Sequence, residues 1–270
     1  MLLPLFAIVA AAGGCAIFFA CGLAGIGWLL LLILGCFLLC VGLWALFVVI
    51  LSCTVDQSKP AGPHQRRWRR LIIETLRMAF PLLRVKISTT GLDLLPKDCR
   101  FVFTCNHITI YDPMAALVAL RDHDVTFISK KENMDRRVFG NLMHAAGMLP
   151  IDRENDRAAV RTVIQAAKLL KEQTVSIGLY PEGYCKRDAS LVLQPFRDGS
   201  LKIAQKGGAP VAVATVQGTD RIIPGFWRSL YTEVKLDILA VIPAEEVQSH
   251  STHELGDRIW HIMYDHLTKV

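Results

Sequence analysis

The chain has 270 residues, 52% of them hydrophobic, and a formal net charge of +6. That length suits one moderate domain with an attachment, or two small domains. The first 55 residues contain no Asp, Glu, Lys or Arg, which excludes an ordinary solvated surface for that stretch and places every charge after it.

The first 51 residues are almost purely apolar, enough for two membrane-spanning helices of roughly 20 residues each. Gly22, Gly25 and Gly27 fall near the middle, where a tight turn would need them. The pattern predicts a hairpin of helices, Leu2 to Cys21 and Trp28 to Leu51; one long spanning helix with a buried extension is the alternative. Cleavable signal peptides have a short apolar core and a basic start. This segment is too long and lacks the basic start, so it is expected to stay as an anchor. Residues 56–65, with two prolines and a glycine, form a linker.

Lys59, Arg66, Arg67, Arg69 and Arg70 follow, around Trp68. The positive-inside rule puts this side, and so the rest of the chain, on the cytoplasmic face. A basic run also suits a solvated face or nucleic acid. Beside an apolar anchor it favours anionic headgroups, so the expected partners are membrane lipids and not nucleic acid. Trp68, Leu71, Ile72, Leu76, Ala79, Phe80 and Leu83 recur at helical spacing between charged residues. That amphipathic helix would lie in the membrane interface or pack on the domain, and Pro81 should bend or end it.

From Arg84 onward, β-rich runs alternate with helical patterns. Strands are expected at 84–88, 100–104, 125–129, 148–151, 174–180, 210–216 and 233–241, and helices at 113–120, 156–172, 201–205 and 252–267. The alternation predicts an α/β fold with a mixed, mainly parallel sheet flanked by helices. The division is then 1–55 as anchor, 56–83 as basic linker and interfacial helix, and 84–270 as catalytic domain. Ligands of such sheets bind at the carboxyl ends of the strands. Asn106 and His107, Lys130 and Lys131, Asp152 and Arg153, and Pro181 to Gly183 all stand at such ends.

His107 and Asp112 are five residues apart. In a helix they would point about 140° apart, and in a strand they would face opposite sides. They meet only if the chain turns between the strand ending near Cys105 and the helix starting at Pro113. Such a pair suits general-base catalysis: a neutral imidazole takes a proton, and a carboxylate fixes its tautomer and stabilises the imidazolium. Without a Ser or Cys as third member, the base would activate the acceptor hydroxyl directly. The competing account is structural, since Asp before Pro is a common helix start.

Gly183 permits backbone geometry that other residues resist, and amides of the Pro181-Glu182-Gly183 loop could bind an anion; a plain turn explains it as well. Lys186 and Arg187, with Lys130 and Arg153, could hold a phosphate. The remaining histidines are expected to be surface or structural. Of eight cysteines, five fall in or beside the apolar segment, and Cys99, Cys105 and Cys185 have no metal-binding spacing.

Taken in order, these residues resemble the glycerolipid acyltransferases, specifically the lysophosphatidic acid acyltransferases. The N-H-x-x-x-x-D motif matches Asn106, His107 and Asp112. K-K-E and F-G match Lys130, Lys131, Glu132, Phe139 and Gly140, and I-D-R matches Ile151 to Arg153. F-P-E-G-T-R is met in part by Tyr180 to Gly183, P-F-K-x-G resembles Pro195, Phe196, Arg197 and Gly199, and Ala209 to Val211 resembles V-P-V. The resemblance implies that His107 deprotonates a glycerol hydroxyl, which attacks the thioester of acyl-CoA or acyl-carrier protein, while Asp112 orients His107. It implies substrate-binding roles for Asn106, Lys130, Arg153, Glu182, Gly183, Lys186 and Arg187, phosphatidic acid as product, and no metal or bound cofactor. Tyr184 and Cys185 replace the usual Thr and Arg, which opens the choice of acceptor: glycerol 3-phosphate, another lysophospholipid or an aminolipid. A thioesterase or lipid hydrolase would use the same pair on water, although no G-x-S-x-G elbow is present, and a silent lipid-binding scaffold would not use it at all.

Overall fold

The computed structural model describes residues 2–23, 25–62, 64–185 and 193–269. Two helices, α1 (Leu2–Ala20) and α2 (Ile26–Cys53), form the predicted hairpin. Both are long and apolar enough to cross a membrane. The turn between them uses Gly22 and Gly25, both at positive φ. Gly14 lets the helices touch: a Cβ there would lie 2.9 Å from the Ile33 backbone nitrogen, a close approach of the kind that small residues permit.

The end of α2 is fastened to the next domain. Asn141 Nδ2 donates to the Ser52 carbonyl at 2.9 Å, and Gln57 Nε2 donates to Met134 O and Asn141 Oδ1 at 2.9 and 2.7 Å. The helix α3 (Gln65–Leu82) follows. Pro81 sits in its last turn and the helix ends one residue later. The apolar stripe of α3 packs on the domain: Phe80 belongs to its core, Ile72, Leu76 and Leu83 pack against it, and Ile73 beside the stripe joins the core as well. Arg69, expected to face lipid headgroups, is instead buried, with Nε 2.9 Å from Asp124 Oδ1 and Nη1 donating to Ala146 O at 2.7 Å. Removing either charged partner of such a buried pair costs about 3–5 kcal/mol. Trp44 of α2 donates from Nε1 to Thr75 of α3. The C-terminal end of α2 and the N-terminal end of α3 both lie against the segment around residues 141–146. The two helices therefore run antiparallel, and the hairpin continues past the C-terminal end of α3.

The sheet contains β1 (Val85–Thr90), β2 (Val102–Cys105), β3 (Val125–Lys130), β4 (Leu149–Ile151), β5 (Ser176–Leu179), β6 (Val211–Gln217) and β7 (Thr232–Ile242). Their spatial order is β1-β7-β6-β2-β5-β3-β4. Every pairing is parallel except β6 with β7, so the sheet is mixed and mainly parallel. The helices are α4 (Asp112–Ala119), α5 (Lys131–Met134), α6 (Arg137–Ala145), α7 (Asp156–Lys171), α8 (Lys202–Gly207), α9 (Ile222–Arg228), α10 (Ala244–Ser249) and α11 (Thr252–Lys269). The sequence patterns did not predict α5, α6, α9 or α10. All are under ten residues, too short to show a clear helical period.

Two apolar layers sandwich the sheet, as a parallel sheet buried on both faces requires. On one face Phe103, Phe127, Ala212, Ala214 and Val216 meet Ile73 and Phe80 of α3 and Ala115 to Leu117 of α4. On the other, Val102, Ile177, Val211 and Val213 meet Leu170, Ile203, Leu255 and Ile259. The alternation of β6 residues between layers is the period-two signature of a strand. β2, β3, β4, β5 and β6 all point the same way, so the loops after them gather on one edge.

Candidate active site

His107 and Asp112 meet at that edge, across a turn between β2 and α4. His107 Nδ1 lies 2.8 Å from Asp112 Oδ2. The same oxygen accepts the backbone N–H of Ile108 at 2.6 Å and of Thr109 at 2.8 Å. Asp112 Oδ1 accepts the Thr219 hydroxyl at 2.5 Å. The side chain of Asp112 is fully buried, while that of His107 is 17% exposed. The helix-cap account of Asp112 is thus settled: the carboxylate makes no cap bond to α4 and instead holds the turn that precedes it. With Nδ1–H donated to the carboxylate, Nε2 keeps its lone pair, the arrangement a general base needs.

Thr219 was not legible in the sequence. It follows β6 and reaches Asp112 from the far side of the neighbouring strand, 107 residues away in the chain. Tyr180 closes the other side, its ring stacked on that of His107 at 4.2 Å between centroids and on Phe127 at 5.9 Å. Its hydroxyl is buried with no hydrogen-bond partner among the described residues, and burial pushes its pKa well up.

Asn106 does not present its amide to the cleft. It is buried, with Nδ2 donating to Val216 O at 3.0 Å and Oδ1 accepting Val216 N–H at 2.7 Å. Both ends of the amide are spent bracing β2 against β6, so it fixes the strand end from which His107 projects. Glu182 is buried too; it accepts the His107 N–H at 2.7 Å and the Gln194 N–H at 3.2 Å. These bonds make it a clamp on the histidine backbone, a role that the substrate-binding expectation did not include. Gly183 adopts φ +82° and its N–H closes a turn onto Tyr180 O at 3.0 Å, so that amide is committed within the loop.

Cys105 is a buried neighbour of the pair. Burial first, then the charges of Asp112 and Glu182, push its thiol pKa well up. A thiol held neutral is a poor nucleophile. Among the described residues, no Ser or Cys bonds to the His107 ring.

Basic groups line the same edge. Lys130 ends β3 and pairs with Glu132 at 3.1 Å; Lys131 pairs with Asp152 at 3.3 Å. Desolvation first, then the charge of Arg197, lowers the Arg153 pKa. Arg197, at the lysine of the P-F-K-x-G pattern, joins this group without any spacing in the sequence that marks it as a site residue. Its side chain crosses Gly183, where a Cβ would lie 2.9 Å from Cδ and Nε, and its N–H donates to Pro181 O at 2.9 Å. The like charge of Arg197 disfavours the Arg153 cation, and an anion bound near both would relieve that repulsion. Tyr184 turns aside, its hydroxyl donating to Gln194 Oε1 at 3.1 Å. Lys186 and Arg187 lie outside the described residues.

A family model described as Acyltransferase matches residues 86–217, which contain the His/Asp turn and the Pro181 to Gly183 loop. A 1-acyl-sn-glycerol-3-phosphate acyltransferase of Bacillus subtilis is 28% identical over 188 residues, covering 66% of this chain and 88% of that protein. A chloroplastic 1-acyl-sn-glycerol-3-phosphate acyltransferase of Brassica napus is 30% identical over 193 residues, 70% of this chain, but the match spans only 54% of the relative's length. Among solved structures, the 1-acyl-sn-glycerophosphate (LPA) acyltransferase of Thermotoga maritima superposes with a TM-score of 0.58 at 23% identity, covering 81% of this chain and 88% of that one.

Proposed function

We propose, on the match of residues 86–217 to the acyltransferase family model and the likeness to the Bacillus subtilis relative, that the chain moves a fatty acyl group from a thioester to the free hydroxyl of lysophosphatidic acid, giving phosphatidic acid for phospholipid synthesis. The observation that carries the chemistry is the His107 Nδ1–Asp112 Oδ2 contact of 2.8 Å inside a carboxylate cage. His107 Nε2 takes the proton of the glycerol hydroxyl as its oxygen attacks the thioester carbonyl. The tetrahedral intermediate collapses with cleavage of the C–S bond, and the imidazolium returns its proton to the leaving thiolate. Asp112 stabilises the imidazolium while it exists. The neutral, buried Cys105 supports direct transfer without an acyl-enzyme.

Arg153 and Arg197 hold the acceptor phosphate in this reading, with Lys130 at the rim. Acyl-CoA or acyl-carrier protein arrives as a substrate, and no resident metal or cofactor is invoked. In this reading residues 1–55 anchor the chain in the bilayer, and the basic run after them supports a cytoplasmic catalytic domain. Tyr184 and Cys185, in place of Thr and Arg, favour as a second reading an acceptor with a different headgroup.

The test is to supply labelled acyl-CoA and acyl-carrier protein with a panel of acceptors and to identify the lipid formed. His107→Ala should cut the rate by ~10²–10⁴-fold, the usual contribution of general-base catalysis, while leaving the melting temperature in place. Free fatty acid with every acceptor would refute acyl transfer, and a rate within a few-fold of wild type for the variant would refute the base.

A further inference from the structure

Residues 221–231 read R-I-I-P-G-F-W-R-S-L-Y, with two arginines and no acid. Ile222 is buried in the core, but Ile223 is 53% exposed, Trp227 83%, Leu230 89% and Tyr231 59%. A cluster of large apolar side chains this open marks an interaction surface. Its place in the fold identifies the partner. Arg84, two residues beyond the end of α3, donates from Nη1 to Phe226 O at 3.4 Å and lies 5.4 Å from the Phe226 ring centroid. The Arg84 carbonyl accepts the Thr232 N–H at 2.7 Å. The patch is therefore attached to the C-terminal end of α3, the end past which the antiparallel apolar hairpin continues. Trp, Tyr and Leu beside Arg is the composition found where a protein surface meets the headgroup level of a bilayer.

We infer that this surface is a second membrane contact, continuous with the anchor. Trp227, Leu230 and Tyr231 enter the headgroup–acyl boundary, and Arg84 and Arg228 face anionic lipid phosphates. The inference rests on the membrane seat of the proposed function and adds a consequence for the reaction. Thr219, three residues before α9, donates to the carboxylate that holds His107. Docking α9 on lipid thus fixes the catalytic turn at the surface where a lipid acceptor resides.

The test uses the full chain reconstituted into vesicles of phosphatidylcholine and phosphatidylglycerol, part of the lipid brominated high on the acyl chain. The emission of Trp227 is obtained as the difference between wild type and Trp227→Phe. That difference spectrum should be blue-shifted and quenched by the brominated lipid; water-like, unquenched emission overturns the inference. If the patch seated a second copy of the chain, emission would be blue-shifted but unquenched, which overturns it equally. The combined variant Trp227→Ser, Leu230→Ser, Tyr231→Ser should acylate a long-chain acceptor in the vesicles several-fold more slowly, with its rate on a short-chain, water-soluble acceptor unchanged. A variant that keeps the wild-type rate on both acceptors would overturn the contact. The fluorescence measurement needs no turnover, so a protein that transfers no acyl group would refute the proposed function and leave this contact standing.

Discussion

Replacing Asp112 with Asn isolates the charge of the carboxylate from its geometry. In a serine-protease triad the equivalent change leaves the imidazole in the wrong tautomer and costs about 10⁴-fold in kcat. Here the rotation that would bring this about is blocked. The oxygen facing His107 also accepts two backbone N–H groups, at 2.6 and 2.8 Å, and an amide NH2 turned to that position would meet both as donor against donor. The amide oxygen must stay where Oδ2 now sits, and the NH2 then faces Thr219, whose hydroxyl also accepts. His107 keeps its tautomer and loses only the charge opposite it. A hydrogen bond to a charged group contributes roughly 1.5–3 kcal/mol and a neutral one roughly 0.5–1.5 kcal/mol. The difference of about 1–2 kcal/mol predicts a fall in kcat of about 5–30-fold. The assay is acyl transfer by the purified full chain, with the melting temperature as a control for folding. A loss near 10⁴-fold would show that the amide had flipped and that the cage does not hold it; an unchanged rate would remove Asp112 from the mechanism.

Other perturbations read separate parts of the molecule. Tyr180→Phe deletes a buried hydroxyl that has no partner among the described residues, while keeping the ring stacked on His107; unfolding should become harder by about 1 kcal/mol or more, and a fall in melting temperature would reveal a partner for that hydroxyl. Arg197→Ala should raise KM for the phosphate-bearing acceptor by about 10–100-fold, the loss of one charge-assisted bond, with kcat nearly unchanged; an effect on kcat alone would place Arg197 elsewhere in the reaction. Burial first lowers the His123 pKa below its ordinary value. The unfolded chain then binds more protons than the folded one, so stability is full above about pH 6.5 and declines as the pH falls from there toward the lowered value. His123→Gln should flatten that part of a melting-temperature profile, and an unaltered profile would show that the group does not contribute.

The sequence exposed features whose causes are local. The hairpin follows from length and glycines, and its helices end within two residues of the expected bounds. Each expected strand has a counterpart in the sheet, because apolar β-branched runs bounded by turns carry their own signal. The meeting of His107 and Asp112 was legible because a strand, a turn and a proline-started helix leave little choice over five residues. What stayed hidden depends on which strands become neighbours. Thr219 reaches Asp112, and Asn106 engages Val216, only because β6 lies beside β2 in the sheet. Arg197 crosses Gly183 through a loop pairing that no spacing encodes. Arg69 looked like a lipid-facing charge because its partner, Asp124, lies 55 residues away.

The fastening of α2 to the catalytic domain has a kinetic meaning. A free linker of the eleven residues between α2 and α3 would let the domain wander by about 18 Å. Gln57, held by Met134 and Asn141, and Ser52, held by Asn141, remove that freedom. A site at fixed height searches in two dimensions. Its turnover should then follow the mole fraction of acceptor in the surrounding leaflet, so that diluting the same acceptor with inert lipid slows the enzyme while diluting the vesicles with buffer does not.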